Sequence, residues 1–167
     1  GVEDVLQALD ILAMDDLKLV IVGGSPYDDY DRYLLERWPQ HIIHLGKHPQ
    51  ADMPKLVAAA HGVVVPQRQT PAAQAQFPLK LTDGMAMAKP ILATRVGDIP
   101  TILGNTGYLT EAGAPDQLAA KINDIFSHYT EALRLGQAAR ERCIQHYSIG
   151  AMSQILEQLL QRLVPPP

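Results

Sequence analysis

Apolar residues at Val2, Val5, Leu6, Leu9 and Leu12 recur at helical spacing through residues 2–13, which predicts an amphipathic helix at the start of the chain. The pattern then changes period. Leu17-Lys18-Leu19-Val20-Ile21-Val22 is a short β-branched run closed by Gly23-Gly24-Ser25-Pro26, and reads as a buried strand with its turn. Residues 27–38 form a polar helix with an apolar stripe of Tyr30, Leu34, Leu35 and Trp38. His41 to Leu45 is a second strand. Asp52 caps the next predicted helix with Pro54 in its first turn, and Val63-Val64-Val65 is a third strand. Beyond it come a helix over 78–88, a strand from Pro90 to Thr94, a short helix from Ile99 to Leu103 and a last strand from Gly107 to Thr110. After Pro115 the pattern is helical to the end, with one interruption near Tyr147-Ser148-Ile149-Gly150.

Strands alternating with helices imply an α/β fold, a doubly wound parallel sheet joined by right-handed crossovers, with a helical C-terminal segment. A sheet of this kind ordinarily begins with a strand near its middle. This chain opens on a helix instead. The expectation is a single domain over 1–167 cut from a longer chain just after that strand, with a gap or exposed edge beside the 17–22 strand.

Composition narrows the class of function. With 47% hydrophobic and 19% charged residues the sequence suits a globular domain, and no window is apolar for long enough to span a membrane. A formal charge of −4 without a basic run argues against a nucleic-acid surface. The single cysteine, Cys143, excludes an internal disulfide and lends no support to an oxidising compartment, so a cytoplasmic domain acting on a small molecule is expected. Peripheral membrane association of the longer protein stays open. His41 and His44 are three apart in a strand and point to opposite faces, and His61, His128 and His146 have no partner at metal spacing. No metal and no cofactor are expected. Cys143 lacks the Cys-His context of a nucleophile, and there is no G-x-S-x-G, P-loop or G-x-G-x-x-G.

The stretch FPLKLTDGMAMAKPILATRVGDIPTIL, residues 77–103, carries the most specific signal: an apolar-rich helix with one acid, Asp83, then Lys89-Pro90, a β-branched strand and a Gly-Asp-Ile-Pro turn. Together with GVEDVLQALDIL, LKLVIVGGSP and HIIHLGKHPQADMPKLVAAAHGVVVPQ, it resembles the C-terminal, donor-binding domain of the group 1 glycosyltransferases of GT-B fold. The resemblance extends over nearly the whole chain, to about YSIGAM. It implies transfer of a sugar from a nucleoside diphosphate sugar to an unknown acceptor hydroxyl with retention, in a longer protein whose N-terminal domain meets the acceptor. It also implies that the arginine and lysine used against the diphosphate precede Gly1.

Physical chemistry supports a donor site in that stretch. The helix N-terminus at Phe77, Pro78, Leu79 and Lys80 offers amide groups and a positive dipole end to a diphosphate. Asp83, by resemblance the second acid of a Glu-x7-Glu pair, can accept hydrogen bonds from both ribose hydroxyls. The simpler alternative is an early-helix acid held in water by the dipole. Lys80 can reach a phosphate, or pair with Asp83 at i,i+3. Gly23, Gly24 and Ser25 end a strand where a ligand can approach, and Gly46, Lys47 and His48 occupy the loop that, by resemblance, encloses the base. The first acid of the pair falls on Ala75, which can neither bond a sugar hydroxyl nor stabilise positive charge at the anomeric carbon; Gln74 and Gln76 offer only neutral partners. Two further readings therefore stand beside the transferase: a weakened nucleotide-binding or structural module, and a relative of the sugar-nucleotide epimerases.

Overall fold

The computed structural model describes residues 1–24 and 29–163. Ser25 and the start of the expected 27–38 helix lie outside them. The elements run α1 (Val2–Leu12), β1 (Leu19–Val22), α2 (Tyr30–Arg37), β2 (Ile42–Gly46), α3 (Met53–Ala59) after a short 3-10 turn, β3 (Val63–Val65), α4 (Pro71–Gln74), α5 (Leu79–Ala86), β4 (Ile91–Thr94), α6 (Ile99–Leu103), β5 (Tyr108–Thr110), α7 (Pro115–Ser127), α8 (Tyr129–Tyr147) and α9 (Ile149–Leu163). All strand pairs are parallel. The strands fall into two sheets, β1-β2 and β3-β4-β5.

One core joins the two sheets. Val5, Leu6, Ala8 and Leu9 of α1 pack with Leu34, Trp38 and Ile42 on one side and with Leu92 of β4 on the other, and α7 closes the layer with Leu118, Ala119, Ile122 and Ile125. The heptad-like spacing of α1 aims one stripe at this layer, as expected. A second core lies on the opposite face, where Leu81 and Met85 of α5 meet Ile91 and Ala93 of β4, and Ala139 and Cys143 of α8. Small residues let α8 approach closely: a Cβ on Gly136 would come within 2.5 Å of the Ala88 carbonyl oxygen. All four residues of β4 are buried, which fits a strand covered on both faces.

Several details differ from the sequence reading. Asp52 stands at the start of α3, but its side chain makes no cap hydrogen bond there. α4 was not expected; Thr70 caps it by accepting from the Ala73 amide, and Pro71 occupies its first turn. The C-terminal helical run breaks at His128 as well as at Ser148, because the His128 backbone leaves the helical region and serves as the boundary of both α7 and α8. α9 does not pack back across the sheet. It has no buried residue, and its apolar side chains, Ile149 and Leu163 among them, lie exposed.

Candidate functional site

In a parallel sheet all strands end at the same edge, and ligands bind where the connections reverse direction. Here that point lies between β1 and β3, since α2 leads from β1 outward to β2 and later crossovers proceed from β3 through β4 to β5. The expected site residues sit at this carboxyl edge. Gly23 and Gly24 follow β1; Gly46, Lys47 and His48 end β2; and the segment from Pro66 to Pro78 leads from β3 into α5.

The two strand-end glycines are joined to each other. The Gly23 amide donates to the Gly46 carbonyl at 2.7 Å, and His44 Nε2 lies 3.0 Å from the Gly23 carbonyl oxygen. Both glycines have positive φ, 118° and 68°, and nothing lies within 4 Å of where a Cβ would be. Glycine is required there by backbone conformation rather than by crowding. Lys47 and His48 are exposed.

The α5 entrance is more closed than its sequence suggests. Pro78 has no N–H. The Leu79 amide donates to Phe77 and the Leu81 amide to Pro78, leaving Lys80 as the first-turn amide without an acceptor among the described residues. Thr82 Oγ1 donates to the Leu79 carbonyl. Phe77 is half exposed and lies 6.2 Å, ring to ring, from Tyr147 of α8. Lys80 and Asp83 are both exposed, and no ion pair joins them. Asp83 stands close enough to α8 that its charge, after burial, helps push the Cys143 thiol upward. Cys143 donates to the Thr82 carbonyl and is buried, a packing residue rather than a nucleophile. No hydrogen bond or ion pair between described residues links the Gly23–Gly46 pair to the Phe77–Lys80 turn.

Sequence reasoning missed the group that fixes this edge. Arg68, just beyond β3, forks onto Asp4 in the first turn of α1, with Nη2 at 2.8 Å and Nε at 3.2 Å from the two carboxylate oxygens. Glu3 accepts from the Tyr30 hydroxyl at 3.2 Å, and burial, reinforced by the Glu3 charge, pushes the Tyr30 phenol up to about 12. Glu3 and Asp4, the first-turn acids of α1, thus bind groups far along the chain. Elsewhere, Asp10 of α1 accepts from Trp38 Nε1 at 2.7 Å and lies 2.9 Å from His41 Nε2, a clamp at the opposite end of the helix. Among the described residues no cluster of His, Cys, Asp or Glu is placed to hold a metal ion. No helix among them is long and apolar enough to cross a membrane.

A parallel α/β layer with glycine-ended strands and a helix entrance at its carboxyl edge is a Rossmann-like arrangement. The sequence profile of the glycosyl transferases group 1 family matches residues 1–128, and the chain belongs to that family. N-acetyl-alpha-D-glucosaminyl L-malate synthase of Bacillus anthracis is 28% identical over 151 residues, covering 87% of this chain and 38% of that protein. The chain spans well under half the length of the first curated relatives it matches. Among solved structures, Anabaena HepE in complex with UDP superposes with a TM-score of 0.76 at 19% identity over 97% of this chain and 45% of that one. The C-terminal domain of a group 1 glycosyl transferase from Francisella tularensis gives a TM-score of 0.75 at 22% identity, over 89% of this chain and 80% of that domain. The fold is that of one half of a GT-B enzyme.

Proposed function

We propose that this chain is the donor-binding half of a glycosyltransferase, which moves a sugar from a nucleoside diphosphate sugar to an acceptor hydroxyl with retention. The family match over residues 1–128 carries the reading. It is supported by the carboxyl-edge geometry and by the UDP and UDP-glucose complexes of HepE, which shares the fold. Asp83 holds the ribose hydroxyls. The Lys80 amide and side chain meet the diphosphate, and Gly46, Lys47 and His48 border the base. The leaving phosphate is stabilised by the dipole of the α5 entrance and by Lys80, with the remaining cations supplied by the longer protein. The acceptor and the N-terminal domain belong to the longer protein.

Alanine at position 75 favours a second reading, a nucleotide-binding module with weakened chemistry. Calorimetry with UDP and GDP on the longer protein separates the cases. Asp83→Asn should weaken the better-bound nucleotide by about 1–3 kcal/mol, the range for charge-assisted hydrogen bonds. Ala75→Glu should raise affinity or turnover with the sugar nucleotide. Unchanged binding in Asp83→Asn would remove the ribose assignment. Nucleotide binding without sugar transfer by the parent would favour the module. Product anomers read by NMR test retention.

A further inference from the structure

Several features converge on one residue, Gly23, at the carboxyl edge. β1 and β2 stay in register from Leu19 opposite Ile42 to Ile21 opposite His44, but Val22 then pairs with Gly46. Leu45 is therefore an extra residue in β2, a bulge. Just past it, the Gly46 carbonyl accepts from the Gly23 amide at 2.7 Å. The carbonyl oxygen of Gly23 lies 3.0 Å from His44 Nε2. A carbonyl can only accept, so the ring carries a proton on Nε2 and donates it. Both polar groups of the Gly23 backbone are thus held by β2.

Packing does not account for this arrangement. Leu45 is exposed, and no described atom lies within 4 Å of a Cβ built on Gly23 or Gly46. A bulge and two glycines at positive φ weaken the local pairing and return no core contact. What they fix is the path by which the backbone leaves β1 toward Gly24. That turn stands at the edge where the sheet connections reverse, the place where this class of fold binds ligands. We propose that His44 is a positioning residue for the donor nucleotide: its Nε2–H holds the Gly23 carbonyl and so sets the Gly23–Gly24 turn in the conformation that the nucleotide meets. The proposal rests on the donor-site reading above and adds that a side chain of β2, rather than glycine alone, maintains the shape of the turn. His44 touches no reacting atom. Its role is that of a fixed donor, because the neutral ring with its proton on Nε2 and the doubly protonated ring both donate from that nitrogen. Glutamine can take over the role, since its side-chain nitrogen lies as many bonds from the backbone as Nε2 does. Leucine keeps much of the bulk and loses the donor.

Calorimetry with UDP and GDP on the longer protein, in the parent, His44→Leu and His44→Gln, tests this. One neutral hydrogen bond corresponds to about a fivefold change in an equilibrium constant, so His44→Leu should bind the better-bound nucleotide about fivefold more weakly, while His44→Gln stays within about twofold of the parent. A role in folding alone would lower the Tm of His44→Leu and leave nucleotide affinity unchanged. That result would overturn the proposal and leave the donor reading standing. Equal weakening in both variants would also overturn it, since the donated hydrogen bond would then be irrelevant. A parent that binds neither nucleotide would remove the donor reading, and the role of His44 with it. Should His44→Leu fail to fold, amide exchange in the parent decides. With nucleotide at about ten times its Kd, the Gly23 amide should exchange about tenfold more slowly, and an unchanged rate would overturn the proposal.

Discussion

Replacing Arg68 with methionine removes the guanidinium but keeps most of the apolar stem. The Asp4 side chain is 8% exposed and Arg68 is 51% exposed, so the substitution strands a buried carboxylate while little of the arginine's own solvation is at stake. Breaking a fully buried pair costs about 3–5 kcal/mol. The half-exposed arginine lets water screen the pair, which cuts that figure by roughly half. The α1 dipole returns about 0.5–1 kcal/mol to a carboxylate in the first turn. The expected loss is about 0.5–2 kcal/mol, or about 2–6 °C in Tm for a chain of this size. Asp4→Asn should cost less, about 0.5–1 kcal/mol, because an amide can still accept one arginine hydrogen bond and the freed arginine turns to water. Urea unfolding of both single variants and the double variant gives the coupling, expected near 1 kcal/mol. An Arg68→Met loss below about 0.3 kcal/mol, or a larger loss for Asp4→Asn than for Arg68→Met, would refute this account of the fork.

The other outcomes rest on separate contacts. Gly136→Ala gains about 1 kcal/mol of helix propensity, but its Cβ meets the Ala88 and Lys89 backbone within 3.0 Å, so a net loss of about 1–2 kcal/mol is expected by thermal unfolding. Ala88 itself has φ 54°, and Ala88→Gly should raise stability by about 0.5–1 kcal/mol in the same assay. Because folding raises the Tyr30 phenol from 10 to about 12, its contribution to stability is complete below pH 10 and is lost as pH rises from 10 through 12. Absorbance at 295 nm should show Tyr30→Phe removing a late-titrating phenol, and unfolding should become less steep in that alkaline window.

Local pattern carried most of the fold. The five strand cores were legible as short, near-continuous apolar runs, and the α1 stripe because its 3.6 period coincides with the burial that results. α4 was hidden because Pro-Ala-Ala-Gln has no apolar stripe; its only local signal was Thr70-Pro71, a cap followed by a first-turn proline. The break at His128 carries neither glycine nor proline. It is bracketed by tertiary features instead: the Phe126–Tyr129 ring stack, and the Tyr129 hydroxyl donating to the His61 carbonyl. α9 shows the converse. Its period is amphipathic, yet no described element covers the apolar face. The Asp4–Arg68 fork was not legible, since its partners are 64 positions apart.

The segment between β3 and α5 explains why the alanine at position 75 is a chemical departure rather than a loose loop. Thr94 Oγ1 donates to the Gln67 carbonyl at 2.7 Å, Arg68 is forked onto Asp4, and Thr70 caps α4. At the far end of α4, Gly97 with φ 52° brings its backbone against Gln74, so close that a Cβ would lie 3.0 Å from the Gln74 carbonyl oxygen. Four independent ties thus set the backbone path up to residue 75, and the Ala75 amide donates back to Pro71. Ala75 is exposed, so a longer side chain there meets solvent rather than packing. A glutamate at this position would need only a rotamer to present its carboxylate, with no rebuilding of the loop. The Ala75→Glu variant therefore tests the proposed acid position with little interference from folding.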